Sequence, residues 1–382
     1  MRTLYLDNAA TSWPKPRTVP DAVRREMLRG GGNPGRSGHR KSIEAGRAVL
    51  SCRELLAELF GVIDPSRLVF TKNATEALNI VLAGLTRGGG SVVTTGMEHN
   101  SVLRPLHESA GTGTVVAQAD ADADGRVDPG EVARRIGPDT RLVAVTHGSN
   151  VTGAVNDIAA IGAICRERGV PLLVDAAQTA GCIPIDLRRI PVDYLAFSGH
   201  KGLLGPQGTG GLYVGNEGRL PPLLHGGTGS LSDREEQPDF LPDRYESGTL
   251  NVPGLAGLAA GVAYVLRRGV ESIREHDRLL RQVLLEVITG DARIKVFGAA
   301  TAGEYTGVAS VTISGVSPST AGEDLERRFG VLTRIGLHCA PRAHRTIGTF
   351  PEGTVRLSWG PFTSERDIVR AGRALLSVAA GG

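Results

Sequence analysis

Residues 193–201 read DYLAFSGHK, and residues 202–211 continue as GLLGPQGTGG. The apolar residues before Ser198 predict a short strand. The glycine-rich run that begins at residue 199 and includes His200 and Lys201 predicts a tight turn. A lysine just past a strand end, among small and hydrogen-bonding residues, is poorly solvated. Its amine is then more readily neutral, as a Schiff-base nucleophile requires. A lone lysine in a loop is usually a surface residue, so this interpretation needs a second feature.

That feature lies upstream, where residues 172–178 read LLVDAAQ. An apolar strand there presents Asp175 at its C-terminal end, with Gln178 three residues later. Pyridoxal 5'-phosphate (PLP) requires a lysine for its aldehyde and an aspartate that keeps its pyridine nitrogen protonated. Asp175 and Lys201 together therefore favour a PLP site over a surface loop.

The composition is that of an ordinary soluble globular protein. The chain has 382 residues, 41% of them hydrophobic and 22% charged, so we expect a large core and two domains. The net charge is only +3, and no basic block indicates binding to nucleic acid. Four cysteines do not make a disulfide framework, and no signal peptide or membrane-length apolar stretch is evident. We therefore expect a cytoplasmic protein without a membrane span.

Apolar strands alternate with helices from about residue 68 to residue 195, which predicts a mostly parallel sheet covered by helices on both faces. A long Pro/Gly-rich excursion over residues 220–251 predicts a lid or a subunit contact. Strands at 308–314 and 354–358 and a final amphipathic helix predict a second unit. The predicted fold is α/β, with a large domain at 13–256, a smaller α+β domain at 257–382, and residues 1–12 packing near the site.

Polar residues follow several of the predicted strands. Asn73 suits the N-cap of a helix with Glu76 at its third position, and Thr75 adds a hydroxyl to a helix start that suits phosphate. His99 follows the next strand, and ligands gather outside the carboxyl ends of such strands. A glycine-rich loop at 30–39 carries His39, for which a mobile surface role and a substrate-covering role are both open.

Residues 120–131 fit the calcium-loop pattern D-x-D-x-D-G-x5-E, through Asp120, Asp122, Asp124, Gly125 and Glu131. The segment before them reads as a strand rather than the entering helix of a calcium loop, and no second copy exists. Residues 128–131 are also explained as an N-cap, a first-position proline and a third-position glutamate of the next helix. We therefore expect no metal site here.

Cys339 is the one cysteine outside a plainly apolar setting. Arg334, Arg342, His344 and Arg345 are near it in sequence, and positive surroundings favour a thiolate. A small buried residue is the ordinary alternative for a lone cysteine. A zinc site is not indicated, because no ligands occur at the usual spacing. The other cysteines, Cys52, Cys165 and Cys182, are predicted to be structural.

The order of the short motifs resembles that of class V aminotransferase-fold cysteine desulfurases and selenocysteine lyases, in particular the group II desulfurases. The motifs are LDNAAT at 6–11, NATEA at 73–77, EHNS at 98–101, SNVTG at 149–153, VDAAQ at 174–178, SGHK at 198–201, ESGT at 246–249 and LHCAP at 337–341. The resemblance spans nearly the whole chain and implies PLP-dependent fold type I.

The resemblance also implies roles for single residues. Lys201 would hold the cofactor and move the substrate α-proton, and Cys339 would take the substrate sulfur as a persulfide and leave L-alanine. The implied cofactor residues are Lys201, Asp175 at the pyridine nitrogen, Gln178 at the ring hydroxyl, His99 against the ring, and Ala74, Thr75, Ser198, His200 and Thr249 at the phosphate. His99 would also assist proton transfer. The implied substrate residues are Asn150, Arg356 and His39, of which the arginine fork would orient the carboxylate.

The implied partners are L-cysteine or L-selenocysteine, a second copy of the chain that contributes Thr249, and a protein that accepts the sulfur. Two departures affect these implications. The family usually has proline where this chain has Leu250, and the segment after Cys339 resembles a subgroup with different acceptors. The alternatives are a selenocysteine lyase, another class V aminotransferase or epimerase in which Cys339 is not catalytic, and a non-catalytic scaffold. Intact Lys201, Asp175, His99 and Arg356 argue against a scaffold, which has no need of them.

Overall fold

The computed structural model describes residues 3–35, 37–215, 220–298 and 303–381. Its strands are β1 (Leu4–Tyr5), β2 (Leu68–Thr71), β3 (Gly90–Thr95), β4 (Thr114–Ala119), β5 (Thr140–Thr146), β6 (Leu172–Asp175), β7 (Tyr194–Ser198), β8 (Gly210–Val214), β9 (Ile294–Phe297), β10 (Val308–Ile313), β11 (Val331–Leu332), β12 (Arg334–Gly336) and β13 (Thr354–Ser358). Its helices are α1 (Thr18–Arg29), α2 (Arg40–Phe60), α3 (Ala74–Thr86), α4 (Asn100–Ala110), α5 (Pro129–Arg135), α6 (Ile158–Arg168), α7 (Val252–Arg268), α8 (Val270–Ile288), α9 (Pro318–Phe329), α10 (Pro341–Thr346) and α11 (Glu365–Ala379).

Seven strands form the largest sheet, in the spatial order β2–β8–β7–β6–β5–β3–β4. The strands from β7 across to β4 pair in parallel, whereas β8 is antiparallel to both of its neighbours. The predicted α/β architecture with a mostly parallel sheet is confirmed. Because β3, β5, β6 and β7 run the same way, their carboxyl ends meet at one edge.

Helices cover both faces of this sheet, which explains why its central strands are apolar without interruption. Alternate residues face opposite sides: Val174 packs in one core cluster with Leu56 of α2 and Cys165 of α6. Leu173 packs on the other face with Leu78 of α3. The predicted burial of Cys52 and Cys165 is confirmed.

The predicted N-cap of α3 is also confirmed, since the Glu76 amide donates to Asn73 Oδ1 at 3.0 Å. The Glu76 carboxylate does not return this bond to Asn73. It accepts instead from the amide of Lys72 at 2.6 Å, so the turn before the helix is held at both ends.

The C-terminal part of the chain forms a four-stranded sheet, in the order β12–β13–β10–β9, packed with α8, α9 and α11. Leu4 and Leu6 join that core, and β1 pairs with β11. The predicted boundary after residue 256 falls inside α7, whose Leu255 and Leu258 pack with the core of the larger sheet. The boundary itself stays a prediction.

Residues 220–251, where described, contain no helix or strand. Leu223, Leu224, Leu231 and Phe240 are exposed there, whereas Tyr245 and Glu246 are buried. The prediction of a lid or a subunit contact is untested. Within the described ranges, no helix combines the length and the apolar character that a membrane crossing needs.

Candidate active site

A small cavity of about 50 Å³ lies at the edge where the parallel strands end. In the strand register, Thr146 at the end of β5 is paired with Asp175 at the end of β6. The cavity is lined by Ala74, Thr75, Leu78, His99, Ser101, Thr146, Gly148, Asn150, Asp175, Ala177, Gln178, Ser198 and Lys201. Eight predicted site residues therefore meet in one place, although they are spread over nearly 130 positions in the sequence.

Asp175 supplies a buried carboxyl group at the floor of the cavity. Its Oδ1 accepts a hydrogen bond from the Ala177 amide at 2.9 Å. Burial raises the pKa of this carboxyl, while the amide and the positive charge of Lys201 act in the opposite direction. A carboxylate with spare acceptor capacity in such a place is suited to bind a protonated ring nitrogen. Gln178, at the same wall, donates through Nε2 to the Ala9 carbonyl at 3.1 Å.

Lys201 is half-buried, and burial lowers the pKa of its amine to about 8. The negative charge of Asp175 opposes this effect, and the positive charges of Arg356 and Arg334 add to it. An amine with this pKa has a substantial neutral fraction near neutral pH, unlike an exposed lysine. The sequence-based interpretation of Lys201 as a nucleophile thus has a physical basis.

His99 is the N-cap of α4, and its ring is oriented by the backbone. Its Nδ1 accepts from the Ser101 amide at 3.0 Å, which leaves the ring proton on Nε2. Burial, helped by the positive charge of Lys201, lowers the pKa of His99 to about 4, so the ring is neutral. Ser101 Oγ also lies 2.9 Å from His99 Nδ1 and 2.7 Å from Thr75 Oγ1. Sequence reasoning assigned no role to Ser101.

The start of α3 faces Ser198 across the cavity. The Ala74 amide donates to Ser198 Oγ at 3.2 Å, and Thr75 is exposed beside it. His200 is anchored by its carbonyl, which accepts from the Ser12 amide at 3.0 Å. Its Nδ1 is buried without a hydrogen-bond partner among the described residues. Hydroxyl groups, the start of a helix and an unpartnered ring nitrogen form a polar set that suits a phosphate.

Arg356 of β13 brings the small sheet to the site. It is buried, with Nη2 2.8 Å from Asp7 Oδ1 and Nη1 donating to the Asn150 carbonyl at 3.0 Å. Its Nε is buried without a partner in the described structure. Asn150 is fixed in turn, since its Nδ2 donates to the His338 carbonyl at 2.7 Å. Asp7 was missed as a site residue because a carboxylate just after a short N-terminal strand has no periodic signal.

Cys339 is exposed and lies on a strained turn. Both His338 and Cys339 have positive φ angles, 49° and 60°, which side-chain-bearing residues rarely adopt. The Cys339 carbonyl accepts from the Asn100 amide at 2.7 Å, so the turn is tied to the start of α4 beside His99. Arg334 Nη2 lies 3.6 Å from the Cys339 sulfur, which gives the thiol a positive neighbour.

Five predicted site residues do not line the cavity: His200, Arg356 and Cys339, described above, and His39 and Thr249. His39 is exposed and caps α2, where its Nδ1 accepts from the Ser42 amide at 3.2 Å. Thr249 is exposed as well, and its Oγ1 accepts from Asn33 Nδ2 at 3.3 Å. The loop of His39 and the loop of Thr249 therefore touch each other on the surface, and both roles stay predictions.

In the segment 120–131, which fits the calcium-loop pattern, carboxylates bind neighbouring groups of the same segment and the following helix. Asp122 Oδ1 accepts from the amides of Asp124 and Arg126 at 2.9 and 2.8 Å. Glu131 is paired with Arg134 and Arg135 at 2.6 and 2.7 Å. Asp128 caps α5 with proline at the first position, as the helix-cap interpretation predicted. Among the described residues no group of three His, Cys, Asp or Glu side chains could hold a metal ion.

The sequence is similar to known proteins over nearly its whole length. The model of the aminotransferase class-V family matches residues 4–370. A probable cysteine desulfurase of Methanothermobacter thermautotrophicus is 36% identical over 388 residues, covering 99% of this chain and 95% of the relative. The cysteine desulfurase of Haloferax volcanii is 33% identical, covering 90% and 82%.

Two solved structures of cysteine desulfurases are similar to this chain over nearly its whole length. The apo structure of a cysteine desulfurase from Thermococcus onnurineus NA1 has a TM-score of 0.91 at 32% identity, and covers 100% of this chain and 95% of that one. The S-sulfonic acid form of the desulfurase CsdA from Escherichia coli has a TM-score of 0.87 at 27% identity. Because the family match spans almost the full sequence, the chain belongs to the aminotransferase class-V family, as the order of its motifs predicted.

Proposed function

We propose that this protein is a PLP-dependent cysteine desulfurase that converts L-cysteine to L-alanine and keeps the sulfur as a persulfide on Cys339. The observation that carries the proposal is one cavity with Asp175 buried at its floor and the low-pKa amine of Lys201 in its wall. An exposed cysteine on a turn tied to the same site completes the arrangement. The 36% and 33% identical relatives named as cysteine desulfurases support it.

The residues present fit PLP. The unpartnered His200 nitrogen, the Thr75 and Ser198 hydroxyls and the start of α3 would hold the phosphate. Asp175 would accept from the ring nitrogen, Gln178 would bind the ring hydroxyl, and the neutral His99 ring would lie against the cofactor. Lys201 would bind the aldehyde. When bound, PLP supplies an electron sink for the bonds at the substrate α-carbon.

Substrate binding falls to Arg356 and Asn150. The Arg356 guanidinium is held between Asp7 Oδ1 and the Asn150 carbonyl and retains a free Nε, so it can orient an α-carboxylate. In the sulfur-transfer step the Cys339 thiolate forms an S–S bond with the substrate sulfur as the substrate C–S bond breaks. The electron pair of that bond stays with the carbon, which becomes the methyl carbon of alanine after protonation. Lys201 Nζ moves the proton at the α-carbon.

The proposal extends to a homodimer, a sulfur-acceptor protein and a cytoplasmic location. Thr249 and His39 are exposed and their loops are in contact, as a surface offered to a neighbouring site would require. A second copy of the chain would bring Thr249 to the phosphate end of that site. An acceptor would take the sulfur from the exposed Cys339.

The test is an absorbance spectrum of the PLP-loaded protein before and after L-cysteine, followed by assays of alanine and reducible sulfur. We expect a visible band that shifts with cysteine, and equal yields of the two products. The C339A variant should keep the cofactor band and lose sulfur transfer. Alanine formed only from L-selenocysteine would move the assignment to a selenocysteine lyase, and a wild-type chain that binds no PLP would overturn the proposal.

A further inference from the structure

Glu98 is a fully buried carboxyl group to which neither the proposed reaction nor the sequence motif assigns a role. It directly precedes His99, and its exposed fraction is 0%. Its Oε1 accepts from the Thr95 hydroxyl at 2.7 Å and from the Thr146 amide at 2.9 Å. Because Thr95 ends β3 and Thr146 ends β5, one carboxyl group connects the ends of two neighbouring strands.

Its other oxygen, Oε2, is buried and has no hydrogen-bond partner among the described residues. Glu246 shows what a buried ionised glutamate looks like in this chain: both of its oxygens lie 2.9 Å from Arg53 nitrogens. An unpaired buried carboxylate is costly, so a carboxyl group in the position of Glu98 gains by keeping its proton.

The charged surroundings favour the same state. The end of β6 presents Asp175, whose negative charge acts on Glu98. His147 after β5 is buried, and His99, which follows Glu98, is half-buried. Burial lowers the pKa of each ring to about 4, so both are neutral near pH 7. Lys201 after β7 is the nearby cation, and its charge acts on Asp175. Of the two buried carboxyl groups, Asp175 therefore carries a negative charge at the lower cost in free energy.

We propose that Glu98 is a positioning residue that stays protonated beside the ionised Asp175 and holds the His99 loop against the end of β5. The inference rests on the proposed function in that Asp175 and His99 are taken to face the cofactor. With Glu98 neutral, the floor of the cavity carries one negative charge, on the side chain suited to a ring nitrogen. Burial raises the pKa of Glu98 to about 8, in agreement with this geometry.

The proton on Glu98 can be tested without cofactor, by thermal unfolding of the full chain between pH 5 and pH 9. The folded protein would hold this proton up to about pH 8, whereas the unfolded chain releases it near pH 4.5. Wild-type stability therefore falls through this window by an amount that E98Q lacks, since glutamine cannot titrate. We expect the melting temperature of E98Q, relative to wild type, to rise by several degrees from pH 5 to pH 8.

The matched control is E323Q, a change of an exposed glutamate that pairs with Arg327 on α9. The difference in melting temperature between E323Q and wild type should not rise between pH 5 and pH 8. If the E98Q difference is flat, or falls as pH rises, Glu98 is ionised in the folded protein and the proposal is wrong.

The positioning role is tested by titrating each variant with PLP at pH 7. E98Q keeps the oxygen that accepts from Thr95 and Thr146, so its PLP affinity should stay within about threefold of wild type, whereas E98A should lose about tenfold or more. Equal losses in E98Q and E98A would contradict a neutral carboxyl group. If wild type binds no PLP, the proposed function fails, while the unfolding comparison still decides the protonation of Glu98.

Discussion

Two buried arginines in this molecule differ in how many of their hydrogen-bond donors have partners. Arg53 is bound by Glu246 through two contacts of 2.9 Å, donates to the Leu68 carbonyl, and lies 4.4 Å from the centre of the Phe70 ring. Arg356 has one carboxylate contact, to Asp7, and its Nε has no partner among the described residues. A saturated arginine stabilises a fold, whereas an arginine with a free donor is available to a ligand.

The comparison is tested most strongly by removing Arg53. In R53A the Glu246 carboxylate would be left buried and unpaired, which should lower the free energy of unfolding by about 3–5 kcal/mol. Chemical denaturation measures this loss. The double variant R53M/E246L should recover much of it, because it removes both charges together. A single variant as stable as wild type would show that the pair is not a structural element.

The equivalent change at Arg356 should affect activity instead. R356K keeps the charge but loses the fork that orients a carboxylate, so kcat/KM for L-cysteine should fall about 100-fold, or about 2–3 kcal/mol. Denaturation of the same protein should show a much smaller change than R53A. If R356K turns over cysteine normally, the substrate carboxylate binds elsewhere.

A smaller effect is expected at Asp7, the carboxylate that holds Arg356. D7N removes the charge but keeps an acceptor oxygen, so kcat/KM should fall about tenfold. Because Asp7 is partly exposed and asparagine keeps an acceptor oxygen for Arg356, the free energy of unfolding should fall less than in E246Q. E246Q, made in parallel, should lower the melting temperature clearly. If D7N and E246Q lower the free energy of unfolding equally, Arg53 and Arg356 do not differ in their contribution to stability.

The smallest effect concerns pH. Burial lowers the pKa of Lys201 to about 8, and the positive charge of Arg356 contributes to this. PLP uptake requires the neutral amine, so its rate should rise with pH and level off above about pH 8. R356M removes a positive charge, raises the pKa of Lys201, and should move this midpoint upward by a fraction of a pH unit. R53M should leave the midpoint unchanged, and a downward shift in R356M would contradict the electrostatic account.

The sequence predicted the sheet and most of the candidate site, because both depend on short-range patterns. Uninterrupted apolar runs such as residues 172–174 indicate buried parallel strands, and a polar residue after each run marks the functional edge. The confirmed N-cap at Asn73 follows from one residue and its helix. In each case the signal lies within a few positions of the residue concerned.

The rest depends on contacts between distant segments. Asp7 meets Arg356 across 349 positions, and Asn150 meets His338 across 188, so nothing local marks either contact. Ser101 and Glu98 were overlooked for a related reason. A serine or glutamate beside a helix start is already explained by capping, and only packing shows that these side chains contact the site.

The central claim is that Cys339 receives the sulfur, and peptide mass spectrometry after a single turnover tests it most directly. The PLP-loaded protein is mixed with L-cysteine, the thiols are alkylated without reductant, and the four cysteine-containing peptides are compared. We expect one additional sulfur atom on Cys339 and none on Cys52 and Cys165, which are buried, or on Cys182, which is half-buried. Formation of alanine with no sulfur on Cys339 would contradict the account.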